Sequence, residues 1–171
     1  TMNLTATALS ECHFEGQGQL AEGNIVILHV EECTFVFNGH VGMALNMTGR
    51  IAWKAAGVKV FCEGNRTLGV VLQNEEGSTL GLQAVYLETG SSDKDATVRS
   101  VRRLAAKLHE QVGNLVMALG DWNGHVGNDM TFDGTHSGAY ALETPTTVGG
   151  ERQRQWLHST KWSHYYFFKV K

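Results

Sequence analysis

The sequence predicts an α+β fold built mostly from antiparallel sheet, and three features predict it. Short runs rich in Val, Ile, Leu and Phe follow one another from Leu4 to Tyr86, separated by turn residues. A single segment, from Ser92 to Val112, carries apolar residues at helical spacing. A continuous apolar run, Leu115 to Leu119, follows it and ends at Gly120 and Asp121, which is the pattern of a strand buried on both faces.

The first strand is expected within Leu4 to Ser10, stopping abruptly at Glu11 and so carrying a carboxylate at its tip. A Gly/Gln-rich turn around Gly16 to Gln19 precedes two runs, Asn24 to Val30 and Thr34 to Phe37, which the polar pair Glu31 and Glu32 separates as in two strands or a hairpin. Val41 to Asn46, Gly57 to Phe61, Thr67 to Gln73 and Thr79 to Tyr86 continue the series, with turn signals at Gly49, Glu63 to Asn65 and Asn74 to Ser78. In the last of these strands Leu80, Leu82, Ala84 and Tyr86 share one face by the two-residue period, so Tyr86 stands at the strand's C-terminal end.

Ser92 followed three residues later by Asp95 marks a helix start, and Val98, Val101, Leu104, Ala105, Leu108 and Val112 form its buried stripe before Gly113 closes it. Gly120 to Gly150 is a long Gly-punctuated connection of the kind that usually serves function. A short helix is expected over Glu151 to Leu157, and a final strand over Trp162 to Val170.

Composition bounds the rest. The 171 residues suit one domain able to bury a core without metal or disulfide staples. A formal charge of −3 gives no basic excess of the kind that drives phosphate binding, and the local clusters at Arg99, Arg102, Arg103 and Lys107 and at Arg152, Arg154, Lys161, Lys169 and Lys171 read as solvated faces. Cys12, Cys33 and Cys62 form an odd set without C-x-x-C spacing, which favours buried thiols in an intracellular, reducing compartment. The sequence has no apolar span long enough for a membrane helix.

The chemical signal lies in two strand ends, Ala8-Leu9-Ser10-Glu11 and Ala118-Leu119-Gly120-Asp121-Trp122-Asn123, each setting a carboxylate just past apolar residues. Two carboxylates so placed can share a Mg²⁺ ion, which takes hard oxygen ligands and keeps positions open for a phosphate oxygen. Asn123 adds amide donors for a phosphate oxygen or an attacking water without adding repelling charge. The same residue types also cap turns or lie on the surface, and the spacing alone does not decide between these roles.

Gly120-Asp121-Trp122-Asn123-Gly124-His125-Val126-Gly127 resembles the Gly-Asp-Phe-Asn-Ala-His-Val-Gly signature of the endonuclease/exonuclease/phosphatase superfamily, in the form found in the endonuclease domain of non-long-terminal-repeat retrotransposons. Ala8 to Glu11 resembles that family's Ala-Leu-Ser-Glu-Thr, and Val85-Tyr86-Leu87-Glu88-Thr89 resembles its Val-Tyr-Ala-Pro-Thr, so three motifs stand in the family's order. Weaker likenesses at Phe37 to Leu45, Asn65-Arg66, Gly150 to Leu157 and Trp162 to Phe168 extend the match over essentially the whole chain.

The resemblance implies a four-layer sandwich of two mostly antiparallel β-sheets flanked by helices, here incomplete as a single domain over residues 1–171. It implies Glu11 as metal ligand, Tyr86 as a contact to the scissile phosphate, and catalytic roles for Asp121 and Asn123, with Mg²⁺ as cofactor and DNA as substrate. By the same comparison the family's opening strand would lie before Thr1, and its late Asp and His elements beyond Lys171. His125 and His13, the histidines nearest the carboxylates in sequence, read as turn or surface residues, so loss of general acid/base help alone predicts a deficit of about 10²- to 10⁴-fold.

The expected function is therefore a retrotransposon-type Mg²⁺ phosphodiesterase domain with an incomplete site. The rival is a noncatalytic subunit derived from such a domain, docking on protein partners through the aromatic stretch Trp162, Tyr165, Tyr166, Phe167 and Phe168. A phosphoesterase acting on small phosphorylated molecules would use the same carboxylates and is the third reading.

Overall fold

The computed structural model describes residues 6–12, 19–21, 25–31, 33–46, 59–73, 76–87, 94–113 and 115–123, with Thr147 and Glu151. The chain divides into two compact units, residues 1–120 and 121–171. The first unit is an α+β sandwich of two mostly antiparallel sheets with one described helix, as the strand pattern predicts.

Five strands build the first sheet: β1 (Ala6–Ser10), β2 (Gln19–Ala21), β3 (Ile25–Val30), β4 (Cys33–Asn38) and β5 (Val41–Asn46), in the order β1-β5-β4-β3-β2. Every neighbouring pair in it is antiparallel. Past Glu31 the chain returns as β4, pairing Val30 with Cys33. The three-residue β2 was not legible as a strand, because it is too short to show a period and exists by pairing Leu20 with Val26 on β3.

The second sheet contains β6 (Lys59–Cys62), β7 (Thr67–Gln73), β8 (Thr79–Tyr86) and β9 (Val116–Asp121), in chain order. β6, β7 and β8 are antiparallel neighbours. β9 follows the helix α1 (Lys94–Val112) and runs alongside β8 in the same direction. At one end the Gly81 N–H donates to the Leu115 carbonyl, and at the other Gly120 lies against the Val85 carbonyl.

The two-residue period decides which side chains meet between the sheets. Ile25, Val36, Val41, Met43 and Leu45 from the first sheet pack against Leu68, Val70, Leu72, Leu82 and Ala84 from the second, and Leu80 and Tyr86 lie on the same face of β8, as expected. The opposite face of β7 and β8 receives α1, whose Val101, Leu104, Ala105 and Leu108 are buried. Leu104 and Leu108 seat on Gly69 and Val112 on Gly81, small residues that allow the helix close to the sheet. The Gln83 amide, fully buried in this layer, donates to the Thr67 hydroxyl and the Val101 carbonyl at 3.0 Å each.

Gly113 takes a left-handed φ of 67° after the helix, the conformation a helix stop requires, and His109 Nδ1 donates to its carbonyl at 2.6 Å. Lys107 pairs with Glu63 across the helix edge. β9 departs from the expectation of burial on both faces: Met117 is 37% exposed, because β9 is the last strand of its sheet among the described residues. The three cysteines also differ from expectation, being half-buried near strand ends and in a loop, and no disulfide joins them. Among the described residues no helix is long and apolar enough to cross a membrane.

In the second unit Trp122 is buried, and Glu151, helical, donates its N–H to the Thr147 carbonyl at 2.8 Å. The expected final strand over Trp162 to Val170, His13, His125 and nearly all of the Gly120 to Gly150 connection lie outside the described residues.

Candidate active site

Glu11 leaves β1 in a left-handed conformation, φ 56°, which for a glutamate is strained by about 1–2 kcal/mol. The bend turns its carboxylate toward Tyr86, whose hydroxyl donates to Glu11 Oε1 at 2.8 Å. Two residues that the sequence analysis selected from motifs 75 positions apart thus touch directly.

Backbone hydrogen bonds hold this meeting in place. Cys12 N–H donates to the His40 carbonyl at 3.2 Å, His40 N–H to the Asn65 carbonyl at 2.9 Å, and Tyr86 N–H to the Arg66 carbonyl at 3.0 Å. Glu11 adjoins Cys12 and Asn65 adjoins Arg66, so these three bonds and the Tyr86–Glu11 bond close a ring running through both sheets. Asn38 clamps it from inside: 2% exposed, its amide nitrogen donates to the Gly64 carbonyl at 2.7 Å and to the Thr67 carbonyl at 3.0 Å. Both N–H groups of a primary amide are thereby used. Burial pushes the Cys12 thiol above its usual pKa.

His40 is the residue the sequence analysis missed. It occupies the two-residue loop Gly39–His40 between paired Asn38 and Val41, and its ring lies 6.3 Å from that of Tyr86, tilted by 34°. The only sequence signal was Asn-Gly between apolar runs, which announces a tight hairpin and says nothing of which side chain the turn will face.

Asp121 and Asn123 form a second pair, in the second unit. Asn123 N–H donates to Asp121 Oδ1 at 2.8 Å, and Asn123 has a left-handed φ of 42°. The aspartate therefore caps a turn, a role open to it from sequence, while keeping lone pairs for a further partner. Of the three non-glycine residues with positive φ among those described, two are Glu11 and Asn123, and the third, Glu31, is in a hairpin turn. Strain of this kind concentrates at functional positions.

The carboxylate oxygens of Glu11 and Asp121 are hard donors of the type Mg²⁺ accepts, each with one oxygen oriented by a hydrogen bond. Among the described residues no three His, Cys, Asp or Glu side chains cluster as a metal site. No family model, no curated protein and no solved structure matches the chain.

Proposed function

We propose that this chain is a Mg²⁺-dependent phosphodiesterase domain of the endonuclease/exonuclease/phosphatase type. The Tyr86–Glu11 hydrogen bond carries the reading, because it joins two motifs that the resemblance names and that nothing in local sequence would bring together. The strained left-handed backbone at Glu11 adds support from a separate property.

In this reading Glu11 holds the ion, and Tyr86 orients the Glu11 carboxylate and faces the scissile phosphate. Asp121 and Asn123, in the second unit, carry the catalytic roles that the resemblance implies, Asn123 through amide donors to a phosphate oxygen or an attacking water. When bound, Mg²⁺ polarises the phosphoryl oxygen and neutralises developing charge. The test is nicking of supercoiled plasmid DNA with Mg²⁺: weak activity is expected, and Asp121→Ala and Glu11→Gln should abolish it. Activity equal to background in all three proteins sinks the reading.

A noncatalytic subunit docking on a protein partner is the second reading, favoured by Leu115 and Met117, 49% and 37% exposed just before and within β9, the last strand of the second sheet among the described residues. It gains ground if nicking is absent and the purified chain self-associates.

A further inference from the structure

We propose that His40 is a third side chain of the Glu11–Tyr86 site, donating an imidazole N–H to the phosphate group that Tyr86 faces. The inference rests on the phosphodiester reading and extends it to a residue to which the resemblance gives no role.

The first argument is position. The His40 ring is 6.3 Å from the Tyr86 ring, close enough for both to border one ligand a few ångströms across. The second is rigidity. A two-residue loop leaves little conformational freedom, and here both ends are paired, with Asn38 opposite Val41 and Gly39 at a φ of 58°, the conformation such loops demand of a first central residue. His40 is also tied at its own N–H, to Asn65, and at its own carbonyl, to Cys12 next to Glu11. Its backbone is therefore fixed by the same ring of bonds that fixes the pair it stands beside.

The third argument is chemical need. A phosphate group approaching Glu11 meets a carboxylate, and the Tyr86 hydroxyl proton is already spent on that carboxylate. A further donor close by strengthens the hold on an anion, and an imidazole N–H can serve as one. Of its ring nitrogens Nδ1 is buried among protein atoms, so Nε2 is the one assigned to the ligand.

The experiment uses the wild-type chain with ¹³C-labelled His and Tyr rings in the presence of Mg²⁺, titrated with inorganic phosphate at constant pH and ionic strength, with chloride as control. The His40 and Tyr86 ring resonances should move together along one saturable curve. His40→Ala should weaken binding about tenfold, the usual loss for one hydrogen bond to a charged group, and His40→Gln, which retains an N–H donor, should recover most of it. A Tyr86 response without a His40 response, or unchanged affinity in His40→Ala, overturns the inference and leaves the phosphodiester reading standing. Silence of both rings in the wild-type chain sinks both. The wild-type titration decides the matter even if His40→Ala fails to fold.

Discussion

The apolar layer between the sheets and the polar rim at their end are held together by opposite means. Between the sheets, Val36, Val41, Met43 and Leu45 meet Leu68, Val70, Leu72 and Leu82 through many non-directional contacts, none of which is indispensable to the layer's existence. At the rim, Glu11, His40, Asn65, Arg66 and Tyr86 are joined by single hydrogen bonds of defined direction. The core therefore sets how stable the unit is, whereas the rim sets where a few polar atoms stand. A change to one should be felt weakly by the other.

Leu72→Ala offers the largest effect on which to break that separation. Leu72 is 2% exposed, and its truncation should cost about 2–5 kcal/mol in urea unfolding. The amide of His40 should nevertheless keep its hydrogen-exchange protection relative to the global opening. Selective loss of protection at His40 and Tyr86 in this variant would mean that core and rim are one unit.

Asn38→Leu probes the clamp, since Asn38 is buried like the core but bonded like the rim. Removing its amide leaves the Gly64 and Thr67 carbonyls without that donor, a loss on the order of 2 kcal/mol, smaller than the core truncation. Exchange at the His40 and Tyr86 amides should accelerate beyond what the global change explains, while Leu28 and Phe35 in the β3–β4 hairpin follow the global change alone. Uniform acceleration would show that the clamp is merely another core contact.

Glu11→Gly gives the smallest and most diagnostic shift. Glycine relieves the left-handed strain of about 1–2 kcal/mol and adds roughly 0.5–1 kcal/mol of chain entropy to be lost, so the variant should match or slightly exceed wild type in stability. It should lose all Mg²⁺-dependent nicking. A clear destabilisation would show that the Glu11–Tyr86 bond supports the fold rather than a site.

These contrasts also explain what could be read from sequence. β7 and β8 were legible to the residue because Thr67 to Gln73 and Thr79 to Tyr86 are runs of strand formers bracketed by polar turn residues. α1 was legible from its apolar stripe and from Gly113. β2 was not, because its three residues are a strand only through β3. The exposure of Met117 was hidden as well, since an apolar run does not disclose whether its sheet continues beyond it.

At the site, Glu11 and Tyr86 were reached through motif likeness and through the rule that strands deliver polar residues at their ends. The left-handed backbone at Glu11 left no trace in sequence, because glutamate is not a residue that favours it. His40 was invisible for a deeper reason. Its adjacency to Tyr86 joins two sheets across 46 positions, and only their packing brings the two rings together.

The same-direction pairing of β8 with β9 has a consequence for how the molecule assembles. The hairpins β3–β4, β4–β5 and β7–β8 join neighbouring segments and need only short loop closures, but β9 can zip onto β8 only after α1 has crossed back over the sheet. The Gly81 amide, bonded to Leu115 across that crossover, should become protected later in refolding than the Val70 and Leu82 amides of the β7–β8 hairpin, an order that pulse-labelled exchange would resolve. On that timetable the Glu11–Tyr86 end of the sandwich could close on itself before the strand leading to Asp121 is laid down.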